Sequence, residues 1–412
     1  MSTKRKVCVT LINRANYGRL KSVMTAIKNH PDLELQVIVG SSMLIYRYGA
    51  GADIVEQDGF KINERIHMHV DGESPMTMAK SVGLSMIEFP SAFDRLKPDI
   101  VIVNADRYDT LGIAASASYM NITVAHTLGG ECTGTIDDYV RHAVTKLADI
   151  HFAAHKKAAE RVVTMGEDPS RVFVLGNPSL DVIHEQQSNV SNDEFWAKYG
   201  GKGGYPNIDE PFLLSIFHPV TTDFGKNLEN AQALMDAIDE VGMPTIMLWP
   251  NNDAGSEEVS KVMRMRFDRG NMEKLHFLRN MAVEDYLTLM VRCASIIGNS
   301  SSGIMEGGFL GIPCVNVGNR QEGREQTRNV VNVEPNKGKI VDAIKAQVAR
   351  GRIEPDMLFG DGKSGKRAAD VLATIPLLRP KTYFEATDET KHTYVDLVER
   401  DKVQQKEPEP QL

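Results

Sequence analysis

ASIIGNSSSGIMEGG, residues 294–308, joins a short apolar run to a turn of glycine and serine and then to a helical pattern. The run at 294–297 is long enough for one buried strand and too short for a helix. Gly298, Asn299 and Ser300 interrupt it, and apolar residues resume at Ile304. A strand passing through a tight turn into a helix is half of a βαβ unit.

The unit recurs in both directions. Residues 314–317 read as a strand ending at Gly318. Upstream, 212–217 ends at His218-Pro219, a helix spans 227–241, and 245–249 ends at Pro250-Asn251. Nearer the N-terminus, 6–11 ends at Asn13, Arg14 and Ala15 before a helical pattern over 17–29. Further strands at 35–39, 100–103 and 122–125 follow, the last two ending at Asn104-Ala105-Asp106 and at His126. Short apolar strands that alternate with helices predict parallel sheets covered on both faces. The chain has 412 residues, too many for one ordinary core. The expected class is therefore α/β, with two Rossmann-like domains facing across a cleft. A polar stretch over 188–210, with Gly200, Gly201, Gly203, Gly204 and Pro206, predicts the boundary. That gives an N-terminal domain of 1–187, a C-terminal domain of 188–380 and a flexible polar tail of 381–412. The tail closes on Glu407-Pro408-Glu409-Pro410, a composition that favours disorder.

Composition excludes several functions. The net charge is −8, so the chain lacks the basic surface that nucleic-acid binding needs. Cys8, Cys132, Cys293 and Cys314 form no CxxC pair and read as reduced thiols. No apolar run approaches the ~18 residues of a membrane span. The basic Met1–Lys6 segment carries no cleavage site, and a cytoplasmic location is expected. His67 with His69, and His151 with His155, have spacings that can hold zinc, but neither pair has the third ligand of a zinc motif. No metal is expected.

In open parallel sheets ligands bind beyond the carboxyl ends of the strands. The polar residues above all fall at that edge. Ser300, Ser301 and Ser302, followed by a helix start, can hold phosphate without a metal, although serines in such a turn can also merely cap the helix. Glu306 stands one turn later, where it can accept from ribose hydroxyls. His218 adds a donor, Asn251 and Asp253 follow the next strand, and Arg320 and Arg324 offer planar forks suited to a diphosphate. The C-terminal half therefore reads as the nucleotide-binding one. The N-terminal half supplies Asp106, Glu131, Asp137 and Asp138, carboxylates able to serve as acid and base if their environments differ. Arg14 can meet phosphate or sugar.

The chain resembles the hydrolysing UDP-N-acetylglucosamine 2-epimerases of sialic-acid and legionaminic-acid biosynthesis. The matching stretches include RANYGRL (14–20), ADRYDTL (105–111), GGECTGTIDDYVRHAVTKLAD (129–149), HPVTTD (218–223), PNNDAGS (250–256), GNSSSGIMEGG (298–308) and GNRQEGRE (318–325). The resemblance implies a GT-B-like fold, no organic cofactor, a UDP-sugar substrate and commonly a homodimer. It implies elimination followed by hydration, giving the free C2-epimeric sugar, N-acetylmannosamine from UDP-N-acetylglucosamine. By motif match Asp106 and Glu131 are the expected catalytic pair, with the C2 base left open between them. Arg14, His218, Asn251, Ser300, Ser301, Ser302, Glu306 and Arg320 are the expected nucleotide set. The chain departs from the pattern at three places, one being Asn104, where some members carry histidine. The usual Gly-Asp-Arg reads Ala105-Asp106-Arg107, and the frequent Ile-Glu before Gly-Gly reads Thr127-Leu128. An apolar Leu128 would suit a less hydroxylated sugar, such as a UDP- or GDP-linked diacetamido sugar. A non-hydrolysing 2-epimerase, a GT-B glycosyltransferase and a non-catalytic sugar-nucleotide-binding protein are the competing readings.

Overall fold

The apolar runs pair into two separate sheets. The computed structural model describes residues 4–406 apart from 73, 186–189, 224, 252, 280 and 378–380. Seven strands of the first sheet come from the N-terminal half. They are β1 (Arg5–Leu11), β2 (Leu33–Gly40), β3 (Glu64–Ile66), β4 (Ile100–Asn104), β5 (Thr123–Thr127), β6 (Ile150–Ala153) and β7 (Val172–Val174). The second sheet uses β8 (Lys202–Gly203), β9 (Leu213–Ile216), β10 (Thr245–Leu248), β11 (Leu275–Leu278), β12 (Ser295–Gly298), β13 (Cys314–Val317) and β14 (Val330–Val333). A last strand, β15 (Val395–Asp396), returns to the first sheet. All eight strands expected from the sequence form. Seven others go unpredicted: β3, β7, β8 and β15, because two or three residues carry no periodicity, and the four-residue strands β6, β11 and β14.

Both sheets are doubly wound. The first runs β15-β7-β6-β5-β4-β1-β2-β3, entirely parallel. The second runs β14-β13-β12-β9-β10-β11-β8, parallel except for β8 against β11. In each, the chain order reverses beside the first long strand, between β1 and β4 and between β9 and β12. These switch points open crevices at the carboxyl ends. Asn13 and Arg14 follow β1, Ala105 and Asp106 follow β4, His218 follows β9 and Asn299 to Ser302 follow β12. The strand interiors, such as Val7, Val9, Ile100 and Ile102, are fully buried, as double covering by helices requires.

One close helix crossing fixes the first half. Helices Pro75–Leu96 and Tyr108–Tyr119 meet at Gly112. A Cβ there would stand 1.9 Å from Ser85 Oγ and 2.7 Å from the Val82 carbonyl oxygen.

The C-terminal end corrects the expected division. Helix Ser364–Thr374 packs on helix Arg14–Asn29 of the first half, and Ala368, Ala369 and Leu372 lie in that core. Arg5 Nη1 donates to the carbonyls of Leu372 at 2.5 Å and Ile375 at 2.9 Å. These residues therefore do not group with 188–363. Nor is the polar stretch from Lys381 loose over its described part. Lys381 Nζ lies 2.7 Å from Glu167 Oε2, β15 pairs with β7, and helix Leu397–Lys406 follows. Composition counts these charged side chains as solvated, whereas here they find partners on the first half. Residues 407–412 lie outside the described residues. No helix among the described residues is long and apolar enough to cross a membrane.

Candidate active site

The serine turn is built by its flanks. Gly298 has φ +131°, and a Cβ would meet the Ile216 carbonyl oxygen at 2.0 Å, so only glycine fits between β12 and β9. Asn299 then locks the neighbouring loop. Its Oδ1 accepts from the His218 backbone N–H at 2.7 Å, and its Nδ2 donates to the His218 carbonyl at 2.8 Å. Ser300 caps the turn through the Ser302 N–H at 3.4 Å, as the capping alternative anticipated. Ser301 Oγ accepts from Arg19 Nη2 at 3.0 Å, and Ser302 Oγ meets the Tyr286 hydroxyl. The helix that follows is shorter than its pattern implies, a 3-10 turn Ser301–Gly303 and then Met305–Phe309. Hydroxyls and guanidiniums, more than a long helix dipole, are the donors this corner could offer an anion.

His218 Nδ1 accepts the Asn251 N–H at 3.2 Å, so in the neutral ring Nε2 carries the proton and is the donor. Burial, with Arg320 and Arg107 nearby, pushes the ring well below the ordinary histidine range. Arg14, in the first turn of its helix, keeps its charge at neutral pH although burial lowers it to about 10. Glu306 is buried, and burial raises its carboxyl against Arg19 and Ser179.

A cavity of about 320 Å³ lies between the two halves. Nine of the ten expected residues line it: Arg14, Asp106, His218, Asn251, Ser300, Ser301, Ser302, Glu306 and Arg320. Ile216, Leu248, Trp249, Met281 and Leu287 form an apolar flank. Glu131 does not line it. That carboxylate is 1% exposed behind the wall, between His155 Nε2 at 2.9 Å and Arg324 Nη1 at 2.8 Å. Burial would raise it, but His155, Arg324 and Arg141 bring it down to about 2. Glu131 therefore has no path to a substrate carbon from its present position.

Asp137 reaches the cavity instead. Burial first, and then the charge of Asp106, push its carboxyl up to about 6, with Arg320 3.8 Å away pulling the other way. Asp106 moves oppositely. Burial would raise it too, but Arg141, Arg19 and Arg324 hold it well below the usual carboxylate range. Arg141 is fully buried. It donates to Asp106, Asp138 and the Glu131 carbonyl, the last at 2.9 Å. Asp138 takes no part in the cavity. Its Oδ1 accepts the Thr133 N–H at 2.7 Å and anchors the loop.

Backbone conformation at position 105 suits the glycine of the family pattern, not the alanine found there. Ala105 has φ +56° and its N–H donates to the Thr127 carbonyl at 2.9 Å. His126, pushed by burial to about 3 and hence neutral, donates from Nε2 to the Ala105 carbonyl at 2.8 Å. The position is one where glycine is unstrained, and this chain carries alanine. The reading of Leu128 needs correction. It is 3% exposed and packs with Ala105 and Ala154 in the core, not on the cavity.

The histidine pairs resolve into structure. His151 Nε2 lies 3.0 Å from Glu167 Oε2, and His155 Nδ1 accepts the Ala158 N–H at the start of helix Lys156–Thr164. His67 is exposed and His69 stacks edge-on to Tyr48. Glu131, His155 and Glu325 do bring ligand atoms within 4.8 Å of one another. Arg324, Arg161 and Lys157 already meet those carboxylates, so the cluster fits an ion-pair network better than a cation. Sequence reasoning missed Arg19, Arg141 and Tyr286. A charged or phenolic residue inside a helix gives no sign of its direction until the opposing half is in view.

The sequence profile of the UDP-N-acetylglucosamine 2-epimerase family matches residues 25–373. A UDP-N,N'-diacetylbacillosamine 2-epimerase (hydrolyzing) of Legionella pneumophila is 30% identical, over 90% of this chain and 97% of its own. A UDP-N-acetylglucosamine 2-epimerase of Neisseria meningitidis is 31% identical, over 90% and 95%. Among solved structures, the Methanocaldococcus jannaschii UDP-GlcNAc 2-epimerase in complex with UDP-GlcNAc and UDP superposes with a TM-score of 0.73 at 18% identity, covering 89% of this chain and 99% of that one. That likeness establishes a shared fold.

Proposed function

The chain belongs to the UDP-N-acetylglucosamine 2-epimerase family, and from that premise we propose a hydrolysing 2-epimerase acting on a UDP-linked 2-acetamido sugar. UDP-N-acetylglucosamine, giving free N-acetylmannosamine and UDP, is one candidate substrate. A UDP- or GDP-linked diacetamido sugar is the other, the UDP-linked form being the one in the name of the Legionella relative. One observation carries the reading. Two carboxylates of opposite titration, Asp106 and Asp137, share a single cavity with Ser300–Ser302, His218 and Arg320 of the other half.

In the proposed mechanism the diphosphate lies against the serine turn, His218 and Arg320, with Glu306 toward the ribose and the base along the apolar flank. A base takes the C2 proton. The C1–O bond breaks and its electron pair leaves with UDP, giving the 1,2-unsaturated sugar. Water then adds, with OH to C1 and a proton to C2 from the opposite face. Asp137, raised to about 6, suits the base role, because a base works best with a pKa near the working pH. Asp106, kept ionised by Arg141, is too weak a base for carbon and orders the site beside it. Donors aimed at the leaving diphosphate supply the electrostatic part of catalysis.

A cytoplasmic homodimer belongs to the same proposal. Cys8, Cys293 and Cys314 are buried free thiols, and helix Pro75–Leu96 leaves Met76, Met86 and Ile87 exposed at 63, 43 and 67%, an apolar face that a second copy would cover. The function is tested by incubating the protein with each nucleotide sugar in deuterated, 18O-enriched water. Free sugar carrying deuterium at C2 and 18O at C1, with UDP released, is expected. A UDP-linked epimer as the product would instead support the non-hydrolysing reaction, and binding of UDP with no turnover a purely binding protein.

A further inference from the structure

Glu131 stands behind the cavity wall, yet it is connected to that wall from across the interface. Its Oε2 accepts from Arg324 Nη1 at 2.8 Å, and Arg324 lines the cavity. The contact continues inward. Arg324 Nε donates to Gln321 Oε1 at 2.8 Å, Gln321 Nε2 donates to the Asn299 carbonyl at 2.9 Å, and the Asn299 side chain brackets the His218 backbone. Arg320 Nη1 also reaches the Asn299 carbonyl, at 3.3 Å. On the other side His155, whose Nδ1 accepts the Ala158 N–H, stands with Nε2 2.9 Å from Glu131 Oε1. The next residue of the loop, Glu325, is held by Arg161 and by Lys157 at 3.1 Å. Two successive residues of loop 318–326 are thus gripped by the first half, while Arg320 and Arg324 of that loop face the cavity.

We infer that Glu131 is a positioning residue for the nucleotide: it acts through Arg324, clamping loop 318–326 to the first half so that Arg320 and Arg324 meet the diphosphate in the closed molecule. The inference rests on the UDP-sugar reading above. Its charge logic is simple. Arg324 is 8% exposed, and a buried guanidinium keeps its position only with a paired carboxylate. An acid/base group must touch the reacting carbon, and Glu131 does not reach the cavity.

UDP is titrated calorimetrically into the wild type, Glu131→Gln, Arg324→Met and the double variant, and kcat is followed against pH. Glu131→Gln is expected to weaken UDP binding by about tenfold or more, the loss of one charge-assisted hydrogen bond. It leaves the pH dependence of kcat unmoved and adds nothing in the Arg324→Met background, since residues acting through one another are non-additive. An unchanged UDP affinity with kcat lowered by about a hundredfold or more overturns the inference, as do losses that multiply. If Glu131→Gln does not fold, Glu325→Gln at the rim replaces it. An affinity loss of about threefold or more there supports the clamp, and an unchanged affinity overturns it. A wild type that binds no UDP overturns the nucleotide reading itself, and the clamp with it.

Discussion

Asp106 and Asp137 sit in one cavity, and their surroundings drive them apart. Arg141 neutralises the first, while burial and the charge of the first penalise the second. Asp137→Asn therefore has two opposite expected effects. Turnover falls by roughly a hundredfold to ten-thousandfold, the usual loss when a general base is removed. Stability rises by up to about 3 kcal/mol at neutral pH, because a carboxyl whose folded pKa exceeds its unfolded value opposes folding once it is ionised. The sign fixes the window. The penalty is absent below the unfolded value near 3.8 and complete above about 6. Denaturation curves should thus separate at neutral pH and converge in acid. In the wild type, kcat/KM should fall as pH drops through about 6. A rate flat across that range would remove Asp137 as the base.

At the scale of elements, the site depends on close backbone approaches that glycine allows. Gly298 lets β12 run against β9 and deliver the serine turn. Gly112 lets helix Tyr108–Tyr119, which begins two residues after Asp106, lie against helix Pro75–Leu96. Gly112→Ala would force the two helices apart. A destabilisation of about 1–3 kcal/mol is expected, the usual cost of overpacking, read as a lower melting temperature. An unaltered melting temperature would mean the crossing yields without strain. Helix periodicity in the sequence locates both helices but not their crossing, since nothing local to Gly112 names Ser85 as its neighbour.

In the whole molecule the halves are joined both by side-chain pairs and by the chain itself. Arg107 pairs with Asp253, both lining the cavity, and Lys21 pairs with Glu284 at 2.5 Å. The chain also crosses back bodily, through helix Ser364–Thr374. A chain ended after Gly362 should lose the cooperative folding of its first half, since Ala368, Ala369 and Leu372 vacate that core. One ended after Pro376 keeps the helix and should remain folded. Hydrogen exchange over β1 and helix Arg14–Asn29 distinguishes the two. Equal protection in both chains would show the returning helix to be dispensable.

The sequence by itself determined the α/β class, the long strands, the edge of each sheet where ligands bind and the serine turn. Those features are local, written in runs of apolar residues and in the glycines and polar residues that stop them. Tertiary structure decided which carboxylates share the cavity. Asp137 and Glu131 lie six positions apart in one loop-and-helix segment and look alike in sequence. Only the approach of Arg324 from the other half, and of His155 from the next helix, turns one of them inward to a salt bridge and leaves the other at the cavity. The charge state of a carboxylate is set by its neighbours in space, and those neighbours are up to 193 residues distant along the chain.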